Sequence, residues 1–100
     1  MKKIINRKKY DTDTASFIEE YSKHYRSDFR FIHEELYQKK TGEFFLYGEG
    51  GPLTRYAEQY NDGKGYGSDI IPITEEDAMD WIEAHGDADL FEKVFGEIEE

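Results

Sequence analysis

Two aromatic-rich runs, residues 31–39 and 43–48, flank the triplet Lys40-Thr41-Gly42. A tight turn holding glycine between two such runs specifies a β-hairpin. Once that pair forms, a chain of 100 residues has to bring its remaining apolar side chains onto the faces of a sheet. The second run, Glu43-Phe44-Phe45-Leu46-Tyr47, is strongly strand-like. The first also admits a helix, because Phe29, Ile32, His33 and Leu36 share a helical face, and Gly42 would then be its C-cap.

Around this centre, residues 2–10 read as one short strand carrying Ile4, Ile5 and Tyr10. Asp11-Thr12-Asp13-Thr14 reads as a helix start, with side chains that accept from the first free N–H groups. Ser16 and Glu19 have capping-box spacing, and Phe17, Ile18, Tyr21 and Tyr25 then share one face of a helix over 14–25. Gly48-Glu49-Gly50-Gly51-Pro52 reads as a sharp loop with Glu49 at its tip, a candidate for partner contact. Residues 53–60 read as a short helix with Leu53, Tyr56, Ala57 and Tyr60 on one side. Residues 61–68 read as a flexible loop that orders on binding. A short strand over 69–73 sits at a sheet edge, because Pro72 has no N–H to give.

The C-terminal quarter reads most clearly. Thr74 with Asp77 forms a capping box, Ala78, Trp81, Ile82 and His85 face inward, and Gly86 ends the helix. Asp87 caps a last helix with an apolar stripe of Leu90, Phe91, Val94, Phe95 and Ile98. The sum is a single α+β domain over 1–100: a small antiparallel sheet of three to four strands packed against helices, ending in two acidic helices.

Charge decides the function class. Hydrophobic residues make up 37% and charged residues 36%, with 16% aromatics to supply the core. The net charge is −10, and it is concentrated in the second half. A field this one-sided repels naked nucleic acid and attracts basic surfaces. The candidate partner-binding residues are Glu49, Glu75, Glu76, Asp80, Glu83, Asp87, Asp89, Glu92, Glu97 and Glu99. Lys2, Lys3, Arg7, Lys8 and Lys9 form a basic N-terminal edge. The chain is therefore bipolar and suits docking onto a basic protein that itself holds nucleic acid.

Other motifs carry little chemistry. The chain has no cysteine, which removes thiolate catalysis and Cys-based zinc sites. The DxDxT pattern at Asp11-Thr12-Asp13-Thr14 resembles that of phosphate-transferring aspartate enzymes, but no buried strand precedes it in a large α/β domain. Gly63-Lys64-Gly65-Tyr66-Gly67-Ser68 lacks the ending and the following helix of a phosphate loop. His24, His33 and His85 show no ligand spacing, so neither a metal nor a cofactor is expected. The segment Met1-Lys2-Lys3-Ile4-Ile5-Asn6 lacks the apolar run of a signal peptide, so a cytoplasmic location is expected.

Several blocks together resemble a family. They are Lys2-Lys3-Ile4-Ile5-Asn6, Tyr10-Asp11-Thr12-Asp13-Thr14-Ala15, Glu35-Leu36-Tyr37, the distinctive Thr41-Gly42-Glu43-Phe44-Phe45-Leu46-Tyr47-Gly48-Glu49-Gly50-Gly51-Pro52, and Ile71-Pro72-Ile73 with Glu75-Glu76. In this order they resemble small proteins of Firmicutes plasmids, phages and integrative elements, a group that includes anti-CRISPR inhibitors of type II-A Cas9. The resemblance implies a non-enzymatic inhibitor that mimics nucleic acid and blocks guide-RNA loading or DNA binding. Two alternatives stand beside it: an antitoxin-like or antirestriction protein of a mobile element, and a Cas9-dependent nuclease that trims guide RNA.

Overall fold

The structure, a computed structural model, describes residues 1–99. Eight strands and two helices follow one another: β1 (Lys2–Ile5), β2 (Lys8–Asp11), β3 (Ser16–Lys23), β4 (Ile32–Gln38), β5 (Phe44–Gly50), β6 (Glu58–Tyr60), β7 (Gly63–Gly65), β8 (Gly67–Ile73), α1 (Glu75–His85) and α2 (Ala88–Phe95). The expected α+β architecture holds. A four-stranded antiparallel sheet in the order β3-β4-β5-β8 is packed on one face by α1 and α2, and two small ribbons, β1–β2 and β6–β7, flank it.

The central hairpin pairs Leu36 with Leu46 and Tyr37 with Phe45, so the strand reading of residues 31–39 holds and the helical one does not. Alternation sends Leu36, Phe44 and Leu46 to the helix side, where they meet Ala78, Trp81 and Ile82. It sends Tyr37 and Phe45 to the other face, where Tyr10 and Ile70 complete a second core. Tyr37 and Phe45 stack with centroids 5.2 Å apart, and Tyr10 meets Phe45 edge-on at 5.6 Å.

Thr74 starts α1 with the expected capping box. The helix begins at the end of β8 and finishes with His85 stacked 3.7 Å from Tyr21 on β3. Its 11 residues thus cross the whole sheet. Each residue rises about 1.5 Å and strands lie about 4.8 Å apart, so the two widths match. Asp87 caps α2, whose Leu90, Phe91, Val94 and Phe95 close over the same core; Ile98, expected in that stripe, lies outside it, because the helix ends at Phe95 with Gly96 as its C-cap at φ 93°. Pro72 lies on β8, an edge strand, as its missing donor demands.

Five further expectations need correction. Residues 2–10 are a hairpin, not one strand: Asn6 and Arg7 both adopt positive φ, at 53° and 65°, and turn the chain back. The helix expected over 14–25 is strand β3, and Asp11-Thr12-Asp13-Thr14 is the turn that leads into it, with the Asp13 N–H donating to Asp11 Oδ1 at 2.9 Å. A β-bulge explains the misleading spacing. Phe17 faces Tyr37 and Glu19 faces Leu36, so Ile18 is the extra residue. The bulge brings Ile18 and Tyr21, three positions apart, to the same core, as a helix would.

The helix expected over 53–60 is replaced by turns and β6, and Leu53 is left 69% exposed, so the apolar face that would have buried it does not exist. The loop expected over 61–68 is mostly ribbon and the start of β8, with Tyr60 OH donating to the Tyr66 carbonyl at 2.8 Å. The sharp loop expected at 48–52 is largely strand β5. Its glycines are there for close approach. A Cβ on Gly48 would overlap the Tyr56 ring, and one on Gly50 would overlap the Thr54 hydroxyl.

Candidate partner-binding surface

The acidic surface follows from how the two helices are held. Burying Ala78, Trp81 and Ile82 in α1 turns Asp80 and Glu83 outward. Packing Leu90, Phe91, Val94 and Phe95 does the same for Asp89 and Glu92 in α2. Glu75 and Glu76 occupy the first turn of α1, where the helix dipole favours negative charge. Asp87, the N-cap of α2, accepts from the Leu90 N–H at 2.8 Å. Glu97 and Glu99 follow α2 and are exposed.

Among the described residues, none of these nine carboxylates forms an ion pair; the paired acids all lie elsewhere in the chain. An open hollow of about 610 Å³ lies between the helices, with Ile82, Phe91 and Ile98 as apolar lining and Glu83, Asp87, Glu92 and Glu99 as acidic lining. Ile98 is 65% exposed there, a large apolar side chain set among charges. This surface offers both attraction for a basic partner and an apolar anchor for it.

Glu49 departs from the expectation. It sits within β5, not at a turn tip, and its side chain is only 17% exposed. Arg26 Nη2 donates to it at 3.0 Å and Tyr47 OH at 3.0 Å. Burial works against its ionisation, yet bonds from Tyr66, Tyr47 and Arg26 outweigh that and hold its pKa below the ordinary carboxylate value. Glu49 is thus saturated from within and separate from the helical acids, on the opposite face of the sheet.

The basic edge lies on that opposite face too, in the β1–β2 hairpin. Lys3 pairs with Asp69, and Lys8 pairs with Glu43 at 2.9 Å. Lys8, Lys39 and Thr41 together hold the Glu43 carboxyl down to about 2. The basic and acidic regions therefore flank the sheet from its two sides, and two of the five cations of the basic edge, Lys3 and Lys8, are spent on holding the hairpin down.

Two polar arrangements escaped the sequence reading. Glu34 is buried at 6% exposure on the helix side, yet it is satisfied: Tyr56 OH donates at 2.5 Å and Trp81 Nε1 at 3.1 Å. Burial and the adjoining Glu34 push the Tyr56 hydroxyl well above its usual pKa, so it stays a donor. On the other face, Glu20, His33 and Glu35 converge, with ligating atoms within 4.8 Å of one another. That cluster corrects the expectation that the histidines have no ligand spacing with nearby acids. It was hidden because His33 and Glu20 are 13 positions apart and meet only through the β3–β4 register.

No helix of the structure is long and apolar enough to cross a membrane. Comparison with family models, with curated proteins and with solved structures finds no match to this chain.

Proposed function

We propose that this chain is a binding inhibitor of a basic nucleic-acid-handling enzyme, type II-A Cas9 being the partner that its sequence resemblance indicates. The observation that carries the reading is the set of exposed carboxylates on α1, α2 and the segment after them, without ion pairs among the described residues, four of which line a hollow together with Ile82, Phe91 and Ile98. Cas9 holds its guide and target in positively charged channels and reads the short motif beside the target with arginines. A rigid acidic face entering such a channel displaces counterions as phosphate does, and its affinity falls with salt. The chain acts by occupying that surface, in the cytoplasm of the host cell, without chemistry of its own.

Capture of purified Cas9 on the immobilised chain, with and without guide RNA, tests the proposal. Binding in one state and not the other identifies the step that is blocked. Absence of binding in both states rejects Cas9 as the partner. Co-purification with a different basic enzyme then favours an antirestriction or antitoxin-like role for the same surface.

A further inference from the structure

The open face of β3 and β4 carries an arrangement that partner binding does not use. Glu20 and Glu35 are direct cross-strand partners. Two carboxylates in that relation repel each other and destabilise the pair unless a cation lies between them. His33, two residues before Glu35 on the same strand, shares the face. We propose that Glu20, His33 and Glu35 bind a first-row divalent cation such as Zn²⁺.

The surrounding side chains prepare these ligands for a metal. Ser22 Oγ lies 2.6 Å from His33 Nδ1, which fixes the ring and turns Nε2 inward. Tyr37 OH donates to Glu35 Oε1 at 2.7 Å, which turns Oε2 toward the imidazole. His33 Nε2 and Glu35 Oε2 are hydrogen-bonded to each other at 2.8 Å, a contact that an incoming metal would replace. Metal-binding histidines and carboxylates are oriented in this way, with the outer atom of each held by a neighbouring polar group. His33 and Glu35 are half-buried and held, whereas Glu20 is exposed and its carboxylate has no hydrogen-bond donor among the described residues.

Apart from the His33 ring itself, no cationic side chain pairs with the cluster among the described residues. The nearby Arg26 is engaged by Glu49 at 3.0 Å and Tyr66 at 3.1 Å. Among the described residues, Glu20 has no ion pair, and that of Glu35 is with His33. The donor atoms lie within 4.8 Å of one another, and His33 Nε2 and Glu35 Oε2 only 2.8 Å apart, against the roughly 3.3 Å separation expected around a tetrahedral zinc. Rotation of the exposed Glu20 side chain and a small opening of the His33–Glu35 contact bring the three to that spacing. One imidazole and two carboxylates suit Zn²⁺, Mn²⁺ or Fe²⁺ better than Mg²⁺, which favours an all-oxygen shell. Three protein ligands leave at least one position on the ion for water or for an oxygen atom of a bound molecule.

Calorimetric titration of the intact protein with Zn²⁺, Mn²⁺ and Mg²⁺ tests the site. A control variant, Glu83→Gln with Glu92→Gln, distinguishes it from loose ion binding on the acidic helices. One Zn²⁺ per chain is expected, with affinity unchanged in the control. Glu20→Gln and His33→Ala each weaken it by at least about ten-fold. The side-chain ¹⁵N resonances of His33 shift as zinc is added. Glu20→Gln alters an exposed side chain, so it reports even if a variant at His33 fails to fold. No zinc binding by the native chain overturns the proposal, as does equal binding by native and Glu20→Gln proteins or loss of binding only in the control.

Discussion

Arg7 holds a left-handed conformation, at φ 65°, in the turn of the β1–β2 hairpin. For a residue with a Cβ that conformation costs about 1–2 kcal/mol. Arg7→Gly creates the Asn-Gly pair that such turns prefer. It should stabilise the protein by roughly 0.5–1 kcal/mol after the extra chain entropy of glycine is counted, read from the midpoint of urea unfolding. Gly48 gives the opposite case. Gly48→Ala places a methyl group inside the Tyr56 ring and should cost at least about 1–3 kcal/mol. An unchanged midpoint would show that Tyr56 does not pack there. Glu43 contributes a pH dependence. Its folded pKa, about 2, lies below the ordinary value of 4.5. Its contribution is therefore complete above the unfolded pKa and is lost as pH falls through the folded one. Glu43→Gln should flatten the stability profile between those two values.

At the scale of elements, what the sequence makes legible depends on how local the cause is. The caps of α1 and α2 were readable because Thr74, Asp77 and Asp87 act within four residues of themselves. The central hairpin was readable from Gly42 and its aromatic flanks. Strand β3 was not, because the bulge at Ile18 gives its core residues a helical spacing and depends on pairing with β4, far along the chain. The two glycines of β5 resembled a turn because the ring that fills the space over Gly48 comes from residue 56. The exposure of the acids on α1 and α2 was legible from helical spacing, but the end of α2 at Phe95 was not, and the Glu20, His33 and Glu35 cluster needed the register. Asp87→Ala removes the cap of α2 and should cost about 1 kcal/mol, with a measurable drop in helical circular dichroism. Asp87→Asn should leave both unchanged, because asparagine caps equally well.

For the whole molecule, the sheet separates a basic hairpin on one face from unpaired acids on the other, and no ion pair joins the two among the described residues. Beyond the Asp87 cap and the dipole gain in the first turns of the helices, these acids make no bond that holds the fold together, so their self-repulsion is a cost of keeping them. The proposed partner binding accounts for that cost, and it is tested by removing charge while keeping the caps and the core. A variant carrying Glu83→Gln, Asp87→Asn, Asp89→Asn and Glu92→Gln meets that condition. The most direct measurement is the affinity of Cas9 for the native chain and for this variant at low and moderate salt. At about 0.5 kcal/mol for each exposed charge contact, four losses amount to roughly a thirty-fold weakening. The account predicts at least that loss at low salt, and a shallower salt dependence for the variant. Equal affinity of the two proteins at both salt concentrations, with helices intact, would contradict it.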